Sequence, residues 1–202
     1  MQNLLKTHKN TDLYVMTQNV DNLHRRSGTK NIIKLHGDIL SVRCHGCKSN
    51  YINEDSPIDE SFNKYEDFID DFLDPKNQSN LSDIDLKNPI LPLKFCPKCN
   101  SIQRIRPNIV WFGESLDENV LSKCYEKIEI CDLYIIIGTS SVVYPAAGFV
   151  DQVAENGRKA AIAEINLQNE CEGYDHILRI NGKSGEILPV LCDELEKLFS
   201  EN

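Results

Sequence analysis

The sequence predicts an α/β fold in which a parallel sheet carries helices on both faces. Short apolar runs end in polar clusters, helix-length segments separate them, and no internal repeat interrupts the alternation. Strands that alternate with helices form parallel sheets, because each crossover uses a helix to carry the chain back.

The elements follow in chain order. Residues 13–16 (LYVM) read as a buried strand ending in Thr17-Gln18-Asn19, and residues 32–35 as a second ending in His36-Gly37-Asp38. Residues 44–99 differ in composition: they hold two C-x-x-C pairs, five prolines and an acidic stretch over residues 54–85. That acidic stretch reads as a solvated charge run. Phe62, Tyr65, Phe68, Ile69, Phe72 and Leu73 recur at helical spacing there, which predicts one helix packing on the core. Residues 77–88 are polar and loop-like. The α/β pattern then returns. A helix is expected over 116–131 and a strand over 133–137 ending in Gly138-Thr139-Ser140-Ser141. Pro145 suits the first turn of a helix running to about Asn156, with Gly157 beyond its end. Strands over 160–165 and 177–180 and a last helix over 185–199 complete the pattern. Ligands of such sheets bind beyond the carboxyl ends of the strands, where Thr17-Gln18-Asn19, Gly138-Thr139-Ser140 and Asn166 fall.

The 202 residues suit one sizeable domain, or one domain with a smaller module inserted. A net charge of −9 argues against a nucleic-acid partner, and no apolar run nears the ~20 residues of a membrane helix. The first residues carry neither a long apolar core nor a small-residue cleavage site, so no secretory signal is read and an intracellular location is expected. In that setting eight cysteines do not point first to disulfides.

Four of them lie as Cys44-x-x-Cys47 and Cys96-x-x-Cys99. Two such turns can close a tetrahedral zinc site of four thiolates, which leaves no position open for a substrate water. The expected role is therefore structural, with a redox pair as the alternative. Residues 17–24 (TQNVDNLH) crowd amides and a carboxylate at a strand end. They suit ribose hydroxyls and a carboxamide, and equally a capped turn. His36 stands at a strand end beside Gly37, a residue that lets a ligand approach closely, and imidazole titrates near neutrality as a general base must. A lone histidine is nevertheless more often structural. Gly138-Thr139-Ser140-Ser141 can meet phosphate through N–H groups and hydroxyls, or be a plain strand-to-helix turn. It is neither a G-x-G-x-x-G nor a P-loop.

Taken in order, TQNVDNLH, LHG, the paired C-x-x-C, RPNIVWFGE, IIIGTSS and EIN resemble the sirtuin family of NAD-dependent protein lysine deacylases. VWFGE with GTSSVVYPAAGF is most similar to the class III type, whose members often prefer acidic acyl groups. The resemblance implies a Rossmann-like NAD-binding domain over residues 1–43 and 103–202, with a zinc-binding module inserted at 44–102. It implies that Gln18, Asn19, Asp21, Gly138, Thr139, Ser140, Asn166, Leu167 and Ser184 contact NAD, a consumed co-substrate. His36 is implied as the catalytic base and Val110, Phe112, Gly113 and Glu114 as the contacts of an acyl-lysine peptide, held by backbone pairing. The implied location is the mitochondrial matrix, or the cytosol and nucleus. The family's Gly-Ala-Gly strand and cofactor loop have no counterpart here, so the chain is expected to be N-terminally truncated, lacking its first Rossmann strand. That part also carries the tyrosine and arginine that read acidic acyl groups. Asn22 stands where many members have glycine. ADP-ribosyl transfer on the same scaffold, or an inactive zinc-bearing interaction module, are the alternatives.

Overall fold

The computed structural model of the chain describes residues 11–52, 96, 98–99, 105–168 and 176–200. The helix expected around Phe62–Leu73, the acidic run and the polar loop lie outside the described residues. The Cα trace divides into two compact units.

The first unit holds residues 1–18, 23–35 and 115–202. In it β1 (Val15–Thr17) pairs in parallel with β2 (Ile32–Lys34), placing Val15 opposite Ile32. The short helix α1 (Leu23–Arg26) separates the two strands. A three-stranded parallel sheet has the order β6 (Leu133–Ile137), β7 (Ala161–Asn166), β8 (Leu178–Asn181). The helix α2 (Glu118–Glu129) precedes β6, a 3-10 turn (Ala146–Gly148) leads into α3 (Phe149–Glu155) between β6 and β7, and the helix α4 (Ser184–Ser200) follows β8. Asp117 caps α2 by accepting the Asn119 N–H at 2.8 Å, as an N-cap carboxylate does. Cys124 and Ile128 of α2, Phe149, Val150 and Val153 of α3, Ile136, Ile162, Ile177 and Leu35 form one buried cluster. Tyr125 meets the Phe149 ring edge-on at 5.7 Å. Phe149 is thus the largest fully buried side chain of this core, and helix burial against the sheet is what holds α2 and α3 in place.

The second unit holds residues 19–22 and 36–114. Its described core is an antiparallel sheet of order β4 (Asn50–Ile52), β3 (Gly37–Cys44), β5 (Ile105–Ile109). Pro107 lies on β5, at the edge of this sheet, where a missing N–H is tolerated. The β3–β5 register shifts between Asp38 and Val42. Asp38 supports that irregularity: its carboxylate accepts the Leu40 N–H at 2.9 Å and its carbonyl accepts the Ser41 hydroxyl at 3.1 Å. Such bulges re-aim the chain at the end of a strand.

Candidate NAD rim and four-cysteine centre

Within the first unit, the carboxyl ends of β1, β6 and β7 meet at Thr139. The Gln18 amide donates to Thr139 Oγ1 at 3.4 Å, and the Asn166 amide donates to the Thr139 carbonyl at 2.6 Å. Gly138 turns the chain away from β6 with φ +60°, and its N–H donates to Ile165 O at 3.1 Å. A side chain at that φ would be strained, whatever the space around it. Asn166 also organises the end of β7: its side chain accepts the Leu167 N–H at 2.9 Å, and its carbonyl accepts the Gly182 N–H at 2.9 Å. Ser184 opens α4 two residues later. Gln18, Gly138, Thr139, Asn166, Leu167 and Ser184 therefore share one edge, with Ser140 and Leu167 exposed. No short sequence pattern announces the Gln18–Thr139 link, which joins residues 121 positions apart.

In the second unit, His36 lies in the turn before β3 and is half-buried. Its carbonyl accepts the Val110 N–H at 2.9 Å, so the predicted base and the start of the predicted peptide segment are backbone neighbours. The Ile39 N–H donates to Val20 O at 3.0 Å, which lays the segment carrying Asn19 and Asp21 along the start of β3. Gly37 has φ +85°, and a Cβ there would stand 2.0 Å from the Asn108 carbonyl oxygen. The sequence suggested that this glycine admits a ligand; what it admits is the neighbouring backbone of β5. Val110 to Glu114 follow β5 outside the strand. Trp111 and Phe112 are exposed, and the Glu114 N–H donates to Trp111 O at 2.9 Å. Arg106 reaches over this turn to Glu114 at 2.5 Å, a pairing the sequence reading overlooked. Its signal was an arginine and a glutamate eight residues apart around one exposed turn.

Also in the second unit, the Sγ atoms of Cys44, Cys47, Cys96 and Cys99 all lie within 4.8 Å of one another. Cys44 to Cys99 measures 3.8 Å and Cys47 to Cys96 3.7 Å. Four thiolates about 2.3 Å from a tetrahedral zinc ion stand roughly 3.8 Å apart, so the cluster fits one ion. The pairs are far too long for disulfides, and these cysteines are unbridged. Cys44 ends β3 and the chain reverses at once: the Lys48 N–H donates to Cys44 O at 3.0 Å and the Cys44 N–H to Ser49 O at 2.9 Å. Lys48 takes a positive φ of 58° to close that turn. The N–H of Cys99, followed by that of Lys98, brings the Cys96 thiol down to about 6. The hydroxyl and N–H of Ser49 lower Cys47. Both effects favour the thiolate that a metal requires. Cys44 and Cys96 are buried and Cys47 and Cys99 exposed.

The model of the Sir2 family matches residues 2–145. The mitochondrial NAD-dependent protein deacylase sirtuin-5 of Xenopus tropicalis is 39% identical over 179 residues, covering 88% of this chain and 53% of that protein. The chain thus spans about half the length of this curated relative. A crystal structure of a Sir2 homologue in complex with NAD superposes with a TM-score of 0.70 at 31% identity, covering 96% of this chain and 62% of that one. Sir2Af2 bound to a myristoylated histone peptide gives 0.60 at 29% identity, over 94% of this chain and 67% of that one. A family match over most of the chain, a Rossmann-like fold and a zinc-competent set of four thiols agree: the chain belongs to the Sir2 family.

Proposed function

We propose that this chain carries the base, the zinc site and much of the NAD rim of an NAD-dependent protein lysine deacylase. One observation carries the reading. Thr139 gathers Gln18 from the end of β1 and Asn166 from the end of β7 into a single polar edge, where parallel α/β sheets take nucleotides. Residues 1–43 and 103–202 would form the NAD-binding domain and 44–102 the inserted zinc module. Gln18, Asn19 and Asp21 would face the nicotinamide and its ribose. Gly138, Thr139 and Ser140 would hold the cofactor's middle, with Asn166, Leu167 and Ser184 towards the adenosine. The acyl oxygen would displace nicotinamide from C1′ of the ribose. His36 would take a proton from a ribose hydroxyl so that it attacks the resulting imidate carbon, and water would then release free lysine and O-acyl-ADP-ribose. Val110, Phe112, Gly113 and Glu114 form the segment that would receive an acyl-lysine peptide. The zinc ion stays structural, because four cysteines fill its coordination.

The Xenopus relative's mitochondrial name supports a mitochondrial location. Among the described residues no helix is long and apolar enough to cross a membrane. The net charge of −9 supports protein rather than nucleic-acid partners. The test is product analysis by mass spectrometry, with NAD and histone peptides bearing acetyl-, succinyl- or malonyl-lysine. Free lysine peptide together with O-acyl-ADP-ribose is the expected outcome. Peptide or protein carrying ADP-ribose, with the acyl group still in place, would replace this reading with ADP-ribosyl transfer. No turnover of any peptide would leave an interaction module.

A further inference from the structure

We propose that Arg106 is a positioning residue that locks the Val110–Glu114 turn, with one oxygen of Glu114 as its partner. Four contacts converge on one guanidinium and one carboxylate. Arg106 Nη2 donates to Ile109 O at 3.1 Å and to Glu114 Oε2 at 2.5 Å. The same Oε2 accepts the Trp111 N–H at 3.1 Å. The guanidinium carbon lies 4.4 Å from the centre of the Trp111 ring, within cation–π range. The Arg106 side chain is 16% exposed and that of Glu114 35%, so the pair is shielded from solvent on the arginine side.

The turn these contacts close is a tight one. The Glu114 N–H returns to Trp111 O, and Gly113 at the third position has φ +85°, as a type II turn requires. Phe112, at the second position, is held fully outward. The Glu114 carboxyl lies down at about 2, first because of the hydrogen bond from Arg106 and then that from the Trp111 N–H, so its charge stays in place at neutral pH. Both contacts fall on Oε2, so that oxygen is taken up by the lock. Lysine could not substitute for Arg106, because a point charge can neither stack on the indole nor hold a carbonyl and a carboxylate in one plane. The lock itself rests on these contacts alone; its consequence for a peptide rests on the deacylase reading.

Trp111 is the only tryptophan of the chain, so its fluorescence reports on this turn without any turnover. Acrylamide quenching and the emission maximum are measured for the wild type, Arg106→Lys and Glu114→Gln, with zinc stoichiometry as the check on folding. Both variants should quench more readily than the wild type and emit further to the red. Wild-type quenching and emission in both would overturn the lock. Should Arg106→Lys fail to retain zinc, Glu114→Gln alone decides. In turnover, the lock predicts a loss in kcat/KM for acyl-lysine peptide of between about tenfold and a hundredfold, carried in the peptide KM, with the KM for NAD unchanged. Looser quenching with an unaltered peptide KM would refute the positioning role. A wild-type protein that turns over no peptide while both variants still quench more readily than it does would sink the deacylase reading and leave the lock standing.

Discussion

Gly37→Ala isolates the contact that ties the predicted base to the peptide segment. At φ +85° an alanine costs about 1–2 kcal/mol from backbone conformation alone. Its Cβ would also lie 2.0 Å from the Asn108 oxygen, 2.9 Å from the carbon of that carbonyl and 3.1 Å from Ile109 Cα. All three are backbone atoms, so no side chain can swing aside, and β3 and β5 have to part by roughly 1 Å or more. That separation removes the pairing of Gly37 with Ile109 and strains the bond from the Val110 N–H to His36 O. Overpacking of this kind and a lost backbone hydrogen bond bring the total to about 4 kcal/mol, a large share of a domain's stability. Gly113→Ala supplies the control. It has the same φ of +85° but nothing within 4 Å of its Cβ, so it carries the conformational cost of about 1–2 kcal/mol alone. The assay is urea denaturation of the zinc-loaded chain followed by far-UV circular dichroism. Gly37→Ala should lower the midpoint well beyond Gly113→Ala. Equal losses in the two variants would show that β3 and β5 are not packed as described.

Two further outcomes follow from the thiols. Cys99→Ser should bind less zinc than the wild type by mass spectrometry under native conditions, because the fourth sulfur 3.8 Å from Cys44 is gone; full retention would contradict a four-thiolate site. Cys124 is fully buried, and that burial pushes its thiol from 9.0 up to about 11. Its pKa is raised on folding, so its contribution to stability is complete below about pH 9 and is lost as pH rises through about 11. In the folded protein at pH 8.5, iodoacetamide should modify Cys192 before Cys124; early labelling of Cys124 would contradict its place in the buried cluster.

The parts of this molecule legible in its sequence are those fixed by local pattern. The apolar run at 133–137 is a strand with those bounds, the run at 32–35 falls within a residue of β2, and the run at 13–16 starts two residues before β1. The helix expected at 116–131 is shorter at both ends because Asp117 caps it and Ile130 leaves helical geometry. Pro145 leads into a 3-10 turn before α3 begins at Phe149. The two C-x-x-C pairs announced the thiol cluster because their chemistry is carried by spacing. The β3–β5 pairing was not legible, since its partners lie more than sixty residues apart and neither strand alternates cleanly. For the same reason Gly37 was assigned to a ligand when it serves the Asn108 backbone. Arg106 was passed over because its partners, Trp111 and Glu114, acquire meaning only once the turn between them is closed.

Replacing His36 with alanine tests the proposed chemistry most directly. Wild type and variant are each loaded with one equivalent of zinc and given NAD and an acyl-lysine peptide, and release of deacylated peptide is followed by chromatography. The account predicts that the variant keeps its zinc, because the imidazole is not among the four sulfur ligands, and releases no deacylated peptide. Release at the wild-type rate from the alanine variant would contradict the assignment of residue 36 as the proton acceptor.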